Sequence, residues 1–216
     1  MSVRVVALVA LLVIATPAAC GAPEPGPPPG SLSVAITAGE GRALDGVVVG
    51  SGERVVILSH GATGTKEDFY EVAQVFADDG WRAIAYDAGD DREADLRAVA
   101  TYARNTGATA LVLLGGSLGA SLSIAMADEL GADAVVALSP PASAFGAGEA
   151  AVSLDAPLFV AVAEDNEPFT TDVRAIAESA GVEPVIVSGD GHGTGMFEDH
   201  PDLMDRVVAW ADEVTG

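Results

Sequence analysis

Short apolar segments alternate with helical stretches along the chain from residue 32 onward, and this order constrains the fold most strongly. Leu32–Thr37 and Leu44–Val49 are predicted to form an antiparallel pair, and Arg54–Ser59 a buried strand. The later predicted strands are Arg82–Tyr86, Ala108–Leu114, Ala134–Leu138, Leu158–Ala163 and Val185–Ser188. The predicted helices are Glu67–Asp79, Arg92–Asn105, the stretch after Ser117 up to Leu130, 171–180 and 202–214. Because strands that are apolar throughout are buried on both sides, we expect an α/β domain with a mostly parallel central sheet and helices on both faces.

The length and charge of the chain limit the functions open to it. The 216 residues suit one domain with a sizeable core. The formal net charge is -22, from 10 Lys and Arg against 32 Asp and Glu. A surface this acidic repels phosphate backbones and anionic lipid headgroups, so we expect no nucleic-acid partner.

The first 20 residues have the pattern of an export signal. Arg4 supplies a positive charge, Val5 to Ile14 is an unbroken apolar run, and the segment ends Pro17-Ala18-Ala19-Cys20. The run is short for a membrane-spanning helix. Two processing routes fit, which are cleavage near Ala19 and lipoprotein processing with Cys20 as the lipidated N-terminus. The ending resembles a bacterial lipobox, except that Pro17 stands where Leu is usual, and Cys20 is the only cysteine. We expect lipidation at Cys20, no intramolecular disulfide, and membrane contact only through the anchor.

A proline-rich segment separates this signal from the folded part of the chain. Residues 21–31 read Gly-Ala-Pro-Glu-Pro-Gly-Pro-Pro-Pro-Gly-Ser. Proline fixes φ and favours extended geometry, so the segment suits a semi-rigid tether. The predicted organisation is a signal peptide over 1–20, a linker over 21–31 and one domain over 32–216.

The segment Gly115-Gly116-Ser117-Leu118-Gly119 joins a predicted buried strand to a predicted helix. It satisfies the G-x-S-x-G pattern in the strand-turn-helix context that the pattern requires. A sharp turn of this kind strains the backbone at the serine, and glycine two residues before and after relieves the clashes. The helix N-terminus adds a field that favours negative charge. The motif predicts that Ser117 is a nucleophile.

From about residue 42 to 214 the chain resembles the α/β-hydrolase superfamily, in a small form without a large lid. Besides the Ser117 turn, Ser59-His60-Gly61-Ala62 resembles the His-Gly oxyanion turn of that family, and Gly191-His192-Gly193 resembles its histidine loop. The resemblance implies a serine hydrolase related to esterases and dienelactone hydrolases. It is specific for the superfamily and does not define a subfamily.

A serine hydroxyl needs a base, and the resemblance implies that His192 is that base. His60 is expected to shape the oxyanion turn, and His200 to lie at a helix start. The family order of nucleophile, acid and histidine places the acid after the strand Leu158–Ala163. Three carboxylates follow that strand, and Asp165 is preferred over Glu167 and Glu164 as the group that orients the imidazole.

The oxyanion that forms during ester cleavage needs hydrogen-bond donors. The backbone N–H of Leu118, directly after the nucleophile, is one expected donor. The N–H of Ala62 is the other, with Gly61 as the less favoured choice. No cofactor is required by this chemistry, and the widely spaced histidines give no sign of a metal site.

The segment between Ser139 and Leu154 is too short for a helical cap, so an open, shallow site is expected. The candidates for its apolar lining are Phe145, Phe169, Met196 and Phe197. The sequence therefore predicts a hydrolase of small carboxylic esters with a Ser117–His192–Asp165 triad. A peptidase or amidase on the same scaffold, and a non-catalytic cell-surface binding protein, stay open. The oligomeric state is not predicted.

Overall fold

The structure is a computed structural model that describes residues 26–216. The predicted export signal, Cys20 and the first part of the linker lie outside the described residues. None of the helices within residues 26–216 is long and apolar enough to cross a membrane.

Eight strands form one sheet in the described part of the chain. They are β1 (Leu32–Thr37), β2 (Ala43–Gly50), β3 (Arg54–Ser59), β4 (Arg82–Tyr86), β5 (Ala110–Gly116), β6 (Ala134–Leu138), β7 (Leu158–Ala163) and β8 (Val185–Val187). Their spatial order is β1-β2-β4-β3-β5-β6-β7-β8. β2 runs antiparallel to both of its neighbours, and the pairs from β4 to β8 are parallel. The predicted antiparallel entry into a mostly parallel sheet is confirmed.

Seven α-helices cover the described part of the sheet. They are α1 (Tyr70–Asp78), α2 (Arg92–Asn105), α3 (Leu118–Leu130), α4 (Ala147–Ala151), α5 (Phe169–Ala180), α6 (Met196–Asp199) and α7 (Pro201–Thr215). Successive side chains along each strand point to opposite faces of the sheet and pack in two separate cores. Ile57 and Leu113 pack in the core under α2, α3 and α5, whereas Leu58 and Leu114 pack in the core under α1 and α7. Helices therefore cover both faces, as predicted.

The prediction for β5, Ala108–Leu114, lies two residues too early. The strand continues through Gly115 and Gly116, which pair with Ala137 and Leu138 of β6. Strand pairing overrides the low strand preference of the two glycines, because both are buried in the sheet. The strand therefore ends at the residue directly before Ser117.

Two helical segments also differ from the prediction. The stretch predicted as one helix from Glu67 begins as a 3₁₀ turn over Lys66–Phe69, and α1 follows it. The segment between β6 and β7 contains the short helix α4, which packs against α3 and α5. A single helix of five residues that packs on α3 and α5 agrees with the predicted minimal cap.

Candidate active site

Ser117 occupies a tight turn between β5 and α3. Its backbone adopts φ 53° and ψ -120°, a conformation that side-chain-bearing residues rarely take. The N–H of Ser117 donates to the carbonyl oxygen of Leu138 at 2.8 Å, and the carbonyl oxygen of Ser117 accepts from Ala120 at 2.9 Å. Hydrogen bonds on both sides therefore hold the strained residue in place, as the sequence motif predicts.

The two outer glycines of the motif leave no room for a side chain, because backbone atoms lie directly against them. A Cβ on Gly115 would lie 2.2 Å from the carbonyl carbon and oxygen of Gly119. A Cβ on Gly119 would lie 2.0 Å from the carbonyl oxygen of Ser59. The inner glycine differs, because a Cβ on Gly116 would meet nothing nearer than 3.6 Å. The close packing of α3 against β5 and against the end of β3 thus depends on Gly115 and Gly119.

The turn after β3 lies against Ser117. A Cβ on Gly61 would lie 3.4 Å from the Cβ of Ser117. The buried His60 ring accepts a hydrogen bond from the N–H of Ala88 at Nε2 (2.9 Å), so its Nδ1 carries the proton and donates to the carbonyl oxygen of Gly61 (2.8 Å). Burial lowers the pKa of His60, which favours the neutral form of the ring.

The orientation of the Gly61–Ala62 peptide follows from these bonds. Arg92 also donates to this turn, through Nη1 to the carbonyl oxygen of His60 (3.0 Å) and through Nη2 to that of Gly61 (3.1 Å). In a trans peptide the N–H points away from the preceding carbonyl oxygen. The N–H of Ala62 therefore points away from Arg92. The N–H of Leu118 belongs to the first residue of α3, where no intrahelical acceptor exists.

A buried lysine anchors the loop that continues from this turn. The Lys66 amine donates to Asp87 at 2.6 Å and pairs with Asp45 and Glu67, each at 3.2 Å. Burial alone would lower the pKa of Lys66, but these carboxylates raise it above its ordinary value. The loop is thereby tied to the carboxyl end of β4.

His192 follows β8 and lies on the rim of the cavity that also contains Ser117. The Phe169 ring shields one side of the imidazole, with a ring-centroid separation of 4.3 Å. The N–H of Gly193 donates to the fully buried Ser139 Oγ at 3.2 Å, which fixes the loop next to the histidine. Partial burial lowers the pKa of His192.

The carboxylate predicted to orient His192 is not placed against it. Asp165 is exposed, and its N–H donates to the carbonyl oxygen of Gly189 at 2.9 Å. This backbone bond fixes the residue in the turn after β7 with its side chain in solvent. Asn166 lies against the ring instead, with its Oδ1 2.8 Å from Nδ1 of His192.

The other two candidate acids do not contact His192 either. Glu167 binds Thr171 of α5, and Glu164 is exposed. Among residues 26–216 no ion pair joins a carboxylate to His192. Sequence reasoning that looks for an acid passes over Asn166, although an amide oxygen accepts the same hydrogen bond.

Ser117 and His192 line one open cavity of about 520 Å³. Among the described residues no hydrogen bond joins the Ser117 hydroxyl to the His192 ring. In serine hydrolases this bond often tightens only when substrate binds. The wall includes Gly61, Ala62, Thr63, Thr65, Asp68, Phe69 and Thr194.

None of the four apolar side chains expected to line the pocket does so. Met196 and Phe197 are buried in the core under α1 and α7, and Phe169 packs on His192. Phe145 is exposed, next to the start of α4. The large apolar side chain in the wall is instead Phe69, which lies further along the loop after β3.

The remaining histidine lies outside this cavity. His200 contacts the carbonyl oxygen of Ser188 at 2.9 Å and precedes α7, as expected for a residue at a helix start. Within residues 26–216 no group of three His, Cys, Asp or Glu side chains is placed to hold a metal ion.

The strand order, the antiparallel β2 and the serine on the turn after β5 together define the α/β-hydrolase fold. No protein-family model matches the sequence, and no curated protein matches it at a significant level. Solved structures of α/β hydrolases do superpose on the structure of this chain.

Three of these structures illustrate the likeness. An esterase from Pyrococcus furiosus has a TM-score of 0.75 at 18% identity, over 86% of this chain and 93% of that one. A dienelactone hydrolase from Anabaena variabilis has a TM-score of 0.68 at 17% identity, over 85% and 95%. A lidless α/β serine hydrolase from Xanthomonas campestris has a TM-score of 0.68 at 20% identity, over 87% and 95%. At such low sequence identity, these superpositions show a shared fold and nothing further.

Proposed function

We propose that the protein is a serine hydrolase that cleaves small carboxylic esters. The observation that carries the proposal is the strained Ser117, which shares one cavity with His192 and lies against the Gly61 turn. A backbone strain of this kind persists only where surrounding contacts hold it, and such residues cluster at active sites. The names of the superposed esterases and hydrolases agree with the assignment.

The reaction begins when Ser117 Oγ attacks the ester carbonyl carbon and His192 Nε2 takes the hydroxyl proton. A new carbon–oxygen bond forms, and the carbonyl oxygen becomes an oxyanion that accepts hydrogen bonds from the Ala62 and Leu118 N–H groups. The intermediate collapses, the bond to the leaving oxygen breaks, and His192 gives its proton to the departing alcohol. Water then attacks the acyl-enzyme with His192 as base, which releases the acid and restores Ser117.

The form of the cavity supports a small substrate. It is open to solvent, and its wall carries three threonines together with Asp68 and Phe69. The helix between β6 and β7 packs on α3 and α5. An open wall with hydroxyl groups suits a short acyl or alcohol group better than a long buried chain.

The direct test is hydrolysis of p-nitrophenyl acetate by the wild type and by Ser117→Ala. We expect Ser117→Ala to lose at least about 1,000-fold in kcat. Labelling by a fluorophosphonate probe should also disappear in this variant, and Ser143→Ala, which removes a serine outside the cavity wall, should still be labelled. Equal hydrolysis by the wild type and Ser117→Ala would refute the proposal.

A second candidate, a non-catalytic binding protein, is supported by one observation. The residue against Nδ1 of His192 is an amide and not a carboxylate. Absence of both probe labelling and turnover across a panel of esters would favour this candidate. A panel that adds aminoacyl and dipeptidyl amides also distinguishes an esterase from a peptidase or amidase.

We also propose that the protein is exported and anchored through Cys20. The support is the Arg4 charge, the apolar run Val5 to Ile14 and the single cysteine in a lipobox-like context. Metabolic labelling with a fatty acid should mark the wild type and not Cys20→Ala. Labelling of both proteins, or of neither, would contradict lipidation at this residue.

A further inference from the structure

Asn166 occupies the position behind His192 that a carboxylate holds in a Ser-His-Asp triad. Its Oδ1 lies 2.8 Å from His192 Nδ1, and its Nδ2 donates to the carbonyl oxygen of Asp190 at 3.2 Å. The amide thus bridges the turn after β7 and the loop that carries the histidine. Backbone bonds join the same two segments, since Glu164 and Asp165 donate to Val187 and Gly189.

The Asp190 carbonyl determines which way the amide faces. A carbonyl oxygen only accepts hydrogen bonds, so the Asn166 NH₂ group must face Asp190 and the Oδ1 must face His192. The reversed amide would place two oxygens against each other. With Oδ1 as its partner, Nδ1 of His192 has to carry the proton, and Nε2 of the neutral ring is left unprotonated.

This tautomer is the one that a serine hydrolase requires. An unprotonated Nε2 can take the proton of Ser117, whereas the opposite tautomer cannot. In a serine protease, replacing the triad Asp by Asn lowers kcat about 10⁴-fold, because the amide there stabilises the wrong tautomer. In this protein the Asp190 carbonyl prevents that outcome.

We propose that Asn166 is a positioning residue that fixes the Nδ1-protonated tautomer of His192, so that the triad works without a carboxylate. This inference rests on the proposed hydrolase function. A carboxylate at position 166 would lose the donor to the Asp190 carbonyl oxygen, which gives a physical reason for an amide here. Because Asn166 is uncharged, the imidazolium that forms during catalysis has no adjacent negative partner.

The charged groups near His192 do not replace that partner. Asp165 and Asp190 have exposed side chains, and Asp68 lies elsewhere on the cavity wall. The residue of α5 that contacts the His192 ring is the uncharged Phe169. The residue after β6 that contacts the histidine loop, through the N–H of Gly193, is the uncharged Ser139. Burial alone lowers the pKa of His192, with no opposing contribution from an acid.

The first measurement is independent of turnover. Nitrogen NMR of the His192 ring, taken on the full-length protein above the His192 pKa, should show Nδ1 protonated and Nε2 unprotonated. In Asn166→Asp the same titration should give a pKa higher by about one unit or more, because a negative neighbour stabilises the imidazolium. A wild-type ring protonated at Nε2, or an unchanged pKa in Asn166→Asp, would overturn the proposal.

The second measurement uses the pH profile of ester hydrolysis. Asn166→Asp should move the acid limb of kcat/KM to higher pH, and Asn166→Ala should lower kcat on the order of 10- to 100-fold with little change in KM. Asp165→Asn, at the preceding, exposed position, should leave the acid limb in place. The opposite pattern, with the limb moved by Asp165→Asn and not by Asn166→Asp, would assign the role to Asp165 and refute the proposal.

Failure of the proposed function and failure of this inference give different results. A protein that hydrolyses no ester but shows the Nδ1-protonated ring and the pKa rise in Asn166→Asp retains the positioning role and loses the enzyme assignment. A protein that hydrolyses esters at the wild-type rate in Asn166→Ala keeps the enzyme assignment and loses the role of Asn166. Thermal unfolding of each variant identifies any that fail to fold, and the wild-type NMR result stands without them.

Discussion

The guanidinium of Arg92 donates through Nη2 to the carbonyl oxygen of Gly61 at 3.1 Å. This carbonyl belongs to the same peptide as the N–H of Ala62, which is the proposed oxyanion donor. Arg92 is the first residue of α2, so the start of one helix determines the direction of a donor that follows β3. In the proposed mechanism, Arg92, which lies outside the cavity wall, thus influences how the oxyanion inside the cavity is stabilised.

Replacing Arg92 should therefore weaken catalysis more than substrate binding. We expect Arg92→Met to lower kcat about 10- to 100-fold with little change in KM, because a misdirected donor stabilises the oxyanion less. Arg92→Lys should recover only part of the loss, since an ammonium lacks the fork that spans two carbonyl oxygens. Steady-state kinetics on p-nitrophenyl acetate measure both effects.

Arg82 provides a matched control for Arg92. It also donates to two backbone carbonyls, those of Thr106 (2.8 Å) and Ala103 (3.3 Å), but at the start of β4 and away from the cavity. Arg82→Met should lower stability without a specific fall in kcat. Equal kcat values for Arg92→Met and Arg82→Met would show that Arg92 has no role in directing the oxyanion donor.

The motif glycines should differ sharply in their tolerance of a methyl group. Gly119→Ala would place a Cβ 2.0 Å from the Ser59 carbonyl oxygen, and the contacting backbone cannot move aside. We expect a loss of about 3 kcal/mol or more in the free energy of unfolding. Gly116→Ala, whose nearest contact is 3.6 Å, should cost less than about 1 kcal/mol. Urea unfolding of both variants decides the matter, and similar midpoints would contradict the predicted difference.

Ser139 should stabilise the loop that carries His192, through its hydrogen bond with Gly193. It is fully buried, has φ 52°, and accepts the hydrogen bond of the Gly193 N–H. Ser139→Ala leaves that N–H without its partner, so we expect a loss of about 1–3 kcal/mol in stability together with a lower kcat. Both are measurable by urea unfolding and ester hydrolysis.

Ser123 is the matched control for this prediction. It is also fully buried, and its hydroxyl donates to the carbonyl oxygen of Gly119 one turn earlier in α3. That carbonyl also serves the helix backbone, so Ser123→Ala leaves no buried group without a partner. Its stability should change by less than about 1 kcal/mol. A larger loss in Ser123→Ala than in Ser139→Ala would show that the Gly193 contact is unimportant.

The fold is largely predictable from the sequence because its signals are local. Apolar runs such as Leu158–Ala163 coincide with a strand, and the motif around Ser117 requires the strand and helix that flank it. The strand end at Gly116 escapes prediction because its pairing with Leu138 is a long-range interaction. Propensity cannot indicate such a contact.

The site is less completely predictable, for reasons of geometry. Asp165 and Asn166 are neighbours in the chain, and only the turn after β7 determines which side chain faces His192. Nothing in the sequence distinguishes Arg92, because its contacts to His60 and Gly61 join residues about thirty positions apart. Charge and residue type suggest a function for a side chain, but its direction depends on tertiary contacts.

The pH profile of the wild type should reflect the environment of His192. In the proposed mechanism the neutral ring of His192 is the base. Burial destabilises the cation, so the pKa of His192 lies below its ordinary value of 6.5. Activity should therefore persist as the pH falls through 6.5 and decline only at lower pH, where the ring becomes protonated. Measuring kcat/KM for p-nitrophenyl acetate between about pH 4.5 and 8 locates this limb. His200→Gln, which changes a histidine outside the cavity, should leave the limb unmoved. A wild-type limb at or above pH 6.5 would mean that a negative group stabilises the imidazolium, contrary to the contacts of Asn166.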